Sequence, residues 1–161
     1  MHNKSKLSLA IAGLSILIAI FTLVLPSIYI EANSRIVMGW ISTFGGVIKN
    51  YNGSDIHVRL SAGGLINFIV PVVAGVLAYF FGKSQKSTYF LTFVLFIVNI
   101  VLSLSTLISF QHVNVGGAII GIKSAVLSVG PYVCVALASI GAIVSLVGLL
   151  YKPSSRFNKK Y

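Results

Sequence analysis

The sequence predicts an all-α membrane protein, a four-transmembrane-helix bundle with a small extracytoplasmic antiparallel β element in its first loop. Three observations lead there. Hydrophobic residues make up 57 % of the 161-residue chain and charged residues only 9 %, whereas a soluble domain carries about 25 % charged residues to cover its surface. Four apolar runs, over about 7–30, 60–81, 88–110 and 131–151, are each long enough to cross about 30 Å of hydrocarbon. The one long polar interval, 31–59, holds both acids of the chain, Glu31 and Asp55, and its only tryptophan, Trp40.

The first run starts behind Lys4 and Lys6 and is free of charge from 7 to 30. A signal peptide is the competing reading, but the run exceeds a typical signal h-region. Pro26 is expected to kink or loosen its last turn. In the first loop, Val47-Ile48-Lys49-Asn50-Tyr51 and Asp55-Ile56-His57-Val58-Arg59 flank Asn52-Gly53. Asn-Gly between β-prone runs signals a hairpin, because both residues tolerate positive φ. The stretch 35–44 is β-prone as well, and Gly45-Gly46 allows a turn into the hairpin. Trp40 is expected either to pack on this sheet or to sit at headgroup level. The second loop, 111–130, is Gly-rich and semi-apolar; it either adds a hairpin to the first loop or lies at the interface. Pro131 suits the first turn of the last helix. A basic tail, 152–161, ends the single four-pass domain.

Four crossings place both termini on one side with Lys83 and Lys86. Lys4, Lys6, Lys152, Arg156, Lys159 and Lys160 join them there, with no acid. Arg35, Lys49, Arg59 and Lys123 lie on the other side, with both acids. The positive-inside rule therefore puts the termini in the cytoplasm, or on the interior side of a viral membrane, and the larger loops outside. The net charge of +10 is explained by topology and lipid headgroups rather than by nucleic acid.

Small residues recur at helix-face spacing. They are Ser8, Ala12, Ser15, Ala19 and Thr22 in the first helix, and Cys134, Ala138, Gly141, Ser145 and Gly148 in the fourth. The second helix offers Gly64, Asn67, Pro71, Gly75 and Ala78. Close backbone approach supplies packing where lipid removes the hydrophobic drive. Such seams either hold one bundle together or join neighbouring copies.

The predicted spans contain no Asp, Glu, Lys, Arg or His, which argues against a coupled transporter or proton relay and against haem held within the spans. Asn67 and Asn99 read as an interhelical hydrogen bond, with ligand contact as the alternative. His57 and His112 are the only candidates for a metal site in the outer loops, and neither has a spaced partner. Cys134 stands alone, so no intrachain disulfide forms; it reads as a small packing residue. Asn52-Gly53-Ser54 is a glycosylation sequon on the outer side, while Asn3-Lys4-Ser5 falls on the cytoplasmic side. No P-loop, nucleophile elbow or zinc spacing occurs. No cofactor is expected, and no catalysis.

Trp40 in the first loop and Gly130-Pro131-Tyr132 opening a Gly- and Ala-rich fourth helix resemble the claudin-like four-pass proteins. That family has a long β-bearing first outer loop, a shorter second one and cytoplasmic termini. Met38-Gly39-Trp40 stands where claudins carry Gly-Leu-Trp, and their paired loop cysteines are missing here. The resemblance implies lateral assembly through outer loops. Trp40, Tyr51 and His57 are the expected contact residues of the first loop. The expected function is a non-catalytic building block of a membrane layer or viral envelope, a homo-oligomer or part of a larger complex. The alternatives are an accessory subunit of a membrane enzyme, such as an electron-transfer complex, and an oligomeric channel.

Overall fold

The computed structural model describes residues 2–31, 34–48, 56–82, 85–110, 113–115, 118–120 and 125–150. Four helices are long and apolar enough to cross a membrane: α1 (His2–Val24), α3 (Ala62–Phe81), α4 (Lys86–Leu104) and α6 (Val129–Leu150). Each packs on its neighbours in the chain, and α6 closes on α1, giving an up-and-down ring. Only 28 to 33 % of each span is buried inside the protein. The outward side chains, among them Ile16, Phe80, Val101 and Ile143, are large and apolar. A surface of that chemistry calls for lipid, so the chain is a multi-pass integral membrane protein.

The first span ends earlier than the hydropathy predicts. Pro26 has no N–H to continue α1 and disfavours helix at Leu25, so Pro26 opens strand β1 (Pro26–Ile30). Instead of kinking a helix that runs to residue 30, the proline stops it. The apolar residues Ile28 and Ile30 are buried in an outer core, not in lipid. The inner end extends further than predicted, since α1 begins at His2. Ser61 caps α3, its hydroxyl accepting from the Gly64 N–H at 3.0 Å. The third span also shortens: α4 ends at Leu104, and a separate turn, α5 (Thr106–Phe110), follows.

The layer at the loop end of the bundle, away from the N-terminus and called the outer layer for that position, is built from both loops. β1 lies between β2 (Arg35–Met38) and β7 (Ala125–Leu127), antiparallel to each. A second sheet runs β3 (Gly46–Ile48), β4 (Ile56–Val58), β5 (Val113–Val115) and β6 (Ala118–Ile120). β3 pairs with β4 antiparallel, as expected for a hairpin, with Val47 opposite His57; this is one residue off the register of a two-residue Asn52-Gly53 turn, and those two residues lie outside the described ones. The second loop adds a hairpin, as one of its two readings held, and supplies the β7 strand besides. Between β2 and β3 the chain is helical, not extended: α2 (Gly39–Phe44) begins on Met38 and ends at Gly45. Gly45 has φ +82°, where a side chain would be strained.

Two hydrophobic cores result. The membrane core joins Ile11, Ile18, Tyr89, Phe96, Cys134 and Ala138. The outer core joins Ile28, Ile30, Val37, Ile41 and Val58. The small-residue seams face the first of these. Ala138 and Ser145 are fully buried, Ala12 and Ala19 nearly so, and Gly75, Gly141 and Gly148 are buried between helices. A Cβ at Gly148 would lie 2.3 Å from the Tyr89 ring, and one at Gly141 would lie 2.6 to 2.8 Å from three Phe96 ring atoms. Phe96 has no exposed surface into which to swing. Gly141→Ala is therefore expected to destabilise the protein by about 1–3 kcal/mol, and Phe96→Leu in the same chain to recover part of it. Thermal unfolding of the detergent-solubilised variants checks both.

Candidate functional site

A depression lies beside the seams on the membrane face. Ala12, Ser15, Ala19 and Gly75 floor a groove of about 520 Å³ between α1 and α3, with Ile16, Ile20, Val76 and Phe80 among its rim residues. It is apolar, and it runs from Tyr79 near the inner end of α3 to Leu23 and Phe68 near the outer face. Ser15 packs inward, so that a Cβ at Gly75 would lie 3.0 Å from its own Cβ.

A different kind of space lies between the two cores. It is a chamber of about 20 Å³, with a wall that includes Thr22, Ser27, Ser42, Thr43, Asn67, Ser103, Thr106 and Cys134. α2 forms its roof. Gly39 lies so close to α1 that a Cβ would sit 1.9 Å from the Thr22 carbonyl oxygen, and its N–H donates to the Leu25 carbonyl at 2.9 Å. This contact turns Ser42 and Thr43 inward and leaves Trp40 and Phe44 half exposed on the opposite face. The Ser42 hydroxyl donates to the Gly39 carbonyl at 2.8 Å and lies 2.9 Å from the Ser27 hydroxyl. Thr22 donates to the Ile18 carbonyl at 2.8 Å, and its oxygen lies 3.5 Å from the Cys134 sulfur.

The floor of the chamber rests on a consequence of Pro71. Without an N–H, Pro71 leaves the Asn67 carbonyl, four residues back, with no helical donor. Asn99 supplies one: its Nδ2 donates to the Asn67 backbone oxygen at 3.0 Å and to Asn67 Oδ1 at 2.8 Å. Ser103 adds a weaker donation to the same Oδ1 at 3.3 Å. A backbone carbonyl only accepts, so the facing atom of Asn99 is its nitrogen, and the Asn67 atom beside that nitrogen is oxygen. The orientation of both amides follows. The expected interhelical hydrogen bond is present, and the two amides make it with each other; its backbone arm is the part that residue type alone did not reveal. The spacing of Asn67 to Pro71 was the available signal. Asn99 Oδ1 is left buried without a partner among the described residues.

Beneath this layer the bundle axis is packed by Phe96, Ile18 and Ile11, all with no exposed surface. A second polar layer, where Thr92 donates to Ser145 at 3.1 Å, lies on the far side of that packing. The chamber wall carries hydroxyls, an amide and a thiol, groups that bind through hydrogen bonds, and no carboxylate, imidazole or amine among the described residues.

The other sequence candidates lie apart from it. His57 is exposed on β4, opposite Val47. Tyr51, Asn52 and His112 lie outside the described residues. No cluster of three metal-ligating side chains occurs among the described residues. The chamber roof, Ser27, Ser42 and Thr43, went unnoticed in the sequence because hydroxyls in a polar loop carry no spacing signal.

On the outer layer, the register places Ile36, Tyr29 and Val126 side by side across β2, β1 and β7. Their neighbours Ile28 and Val37 point into the outer core with no exposed surface, whereas Ile36 is 55 % and Val126 41 % exposed. An apolar row thus crosses the outward face of the three-stranded sheet.

No protein-family model, curated protein or solved structure matches the chain. The four-helix bundle with its small β element is consistent with the claudin-like layout in topology, and the comparisons add no homology to that likeness.

Proposed function

We propose that this protein is a non-catalytic building block of a membrane layer that assembles laterally with copies of itself through its outer β layer. The observation that carries the reading is the row Ile36–Tyr29–Val126, exposed at Ile36 and Val126 and half-buried at Tyr29. A sheet that buries one face on its own core usually solvates the other, and a contiguous apolar row on the solvated face marks a contact surface. β2 and β7 are also the edges of that sheet among the described residues, and edge strands are where a second chain can add by pairing. Orientation follows from charge: the basic termini face the cytoplasm and the β layer faces outward.

The test is the native mass of the mildly solubilised protein, with every chain in the particle identified. Multiples of this chain alone are expected. Ile36→Lys with Val126→Lys removes two apolar contacts and adds charge, so it is expected to weaken association by about 3 kcal/mol, roughly 100-fold. Maleimide labelling of the buried Cys134 should stay unchanged, showing that the fold is intact. A single chain at every concentration overturns the proposal. Fixed co-migration with cofactor-bearing chains overturns it in favour of an accessory subunit.

A further inference from the structure

We infer that the chamber between the two cores is a built binding site for a single water molecule, held by Asn67 and Thr43 under the α2 roof. The inference is independent of lateral assembly and rests on hydrogen-bond accounting. Asn67 is only 7 % exposed. Its Oδ1 is fixed by the donations from Asn99 and Ser103, and its backbone oxygen by the donation from Asn99. The Asn67 Nδ2, with two hydrogens to give, then has no acceptor among the described residues, although the residue lines the chamber. Thr43 is 1 % exposed and lines the chamber too, and its hydroxyl has no partner among the described residues. Two polar side chains, each more than nine-tenths buried, therefore converge on one small space.

Size and chemistry decide the ligand. A water molecule needs a cavity of at least about 10–15 Å³ and two to four polar partners. The chamber offers about 20 Å³, enough for one water and too little for an ion with its shell or for an organic molecule. Water can accept from the Asn67 amide while its own hydrogens go to hydroxyl oxygens of the wall, where Thr43, Thr22 and Thr106 stand. An amide left unpaired in the wall would be unfavourable, and one bound water relieves that cost. The site also gives the polar layer a role. It connects the α2 roof, through the water, to the Asn67–Asn99 bond that repairs the Pro71 gap.

The experiment is water-edited solid-state NMR on the isotope-labelled full chain in lipid nanodiscs. Magnetisation is expected to pass from water to the Asn67 side-chain amide, as it does to exposed Ser34, and to leave the Asn99 amide dark. Thr43→Val keeps the side-chain shape and removes one partner, so the Asn67 signal should be lost or strongly slowed while the Asn99 amide shift stays in place. An Asn67 amide that receives nothing from water overturns the inference. So does a signal that Thr43→Val leaves unchanged.

Discussion

Gly39→Ala is expected to cost about 3 kcal/mol or more, at the top of the range for overpacking. The new methyl would meet the Thr22 carbonyl oxygen at 1.9 Å and the Thr22 carbonyl carbon at 2.8 Å. Both are backbone atoms at the end of a spanning helix, so neither moves aside as a side-chain tip would. The strain is expected to lift α2 from the bundle. The Gly39 N–H would then lose the Leu25 carbonyl, and the Ser27–Ser42 contact would open. Cys134, 2 % exposed beneath the chamber, is the natural reporter, since a buried thiol is inert until its surroundings open. Gly39→Ala should label with maleimide at temperatures where the native protein does not. Gly46→Ala is the control: its Cβ finds ordinary contacts at 3.6 Å and beyond, and a change within about 0.5 kcal/mol is expected. Equal labelling of the two variants would mean that α2 is not held by the close approach at Gly39.

Asn99→Leu is expected to destabilise the bundle by about 2–3 kcal/mol, more than the roughly 0.6 kcal/mol average for hydrogen bonds between membrane helices. The excess has a cause. Most such bonds join side chains that find other partners when separated, but this one serves a backbone carbonyl that Pro71 has deprived of its helical donor. In lipid an orphaned carbonyl costs more than a lost side-chain bond. Leucine also removes the buried, unpartnered Asn99 Oδ1, which offsets part of the loss. The diagnostic measurement is a double-mutant cycle. Pro71→Ala restores the N–H, so Asn99→Leu should cost about 1–2 kcal/mol less in that background than in the native one. Equal costs in both backgrounds would show that Asn99 acts only through the Asn67 side chain.

The two predictions mark where sequence reading reached and where it stopped. The four spans were legible because lipid imposes long apolar runs that nothing else in a short chain requires. The inward faces were legible from the steps of small residues such as Ala138 and Gly141, and the bundle buries them. The end of the first span was not. Ile28 and Ile30 are as apolar as residues in lipid, but they fill the outer core, and hydropathy does not distinguish the two destinations. α2 was missed for a related reason. Ile41, Ser42 and Thr43 favour strands weakly, and the contact of Gly39 with α1 overrides that preference. The β3–β4 pairing was legible because it is local. The pairing of β7 with β1 was not, because nothing in either strand names its partner. Of the chamber and the bond beneath it, Asn67 and Asn99 stood out as amides inside apolar runs, while the wall hydroxyls became visible only when five elements brought them together.

That last pairing bears on how the protein is made. Ile28 emerges early in synthesis, and its partner Leu127 is translated only after three spans have been threaded into the bilayer. Until then β1 has β2 on one side and an open edge on the other, and the ring of helices lacks the α6 that closes it on α1. Unpaired edges of this kind invite association with the wrong chain. A ribosome stalled before Ala125 should therefore display a nascent chain whose outer layer is digested by protease, while extension through β7 and α6 confers resistance on the whole layer at once. The final helix acts as the latch on a domain whose first strand has been waiting for it since the start of translation.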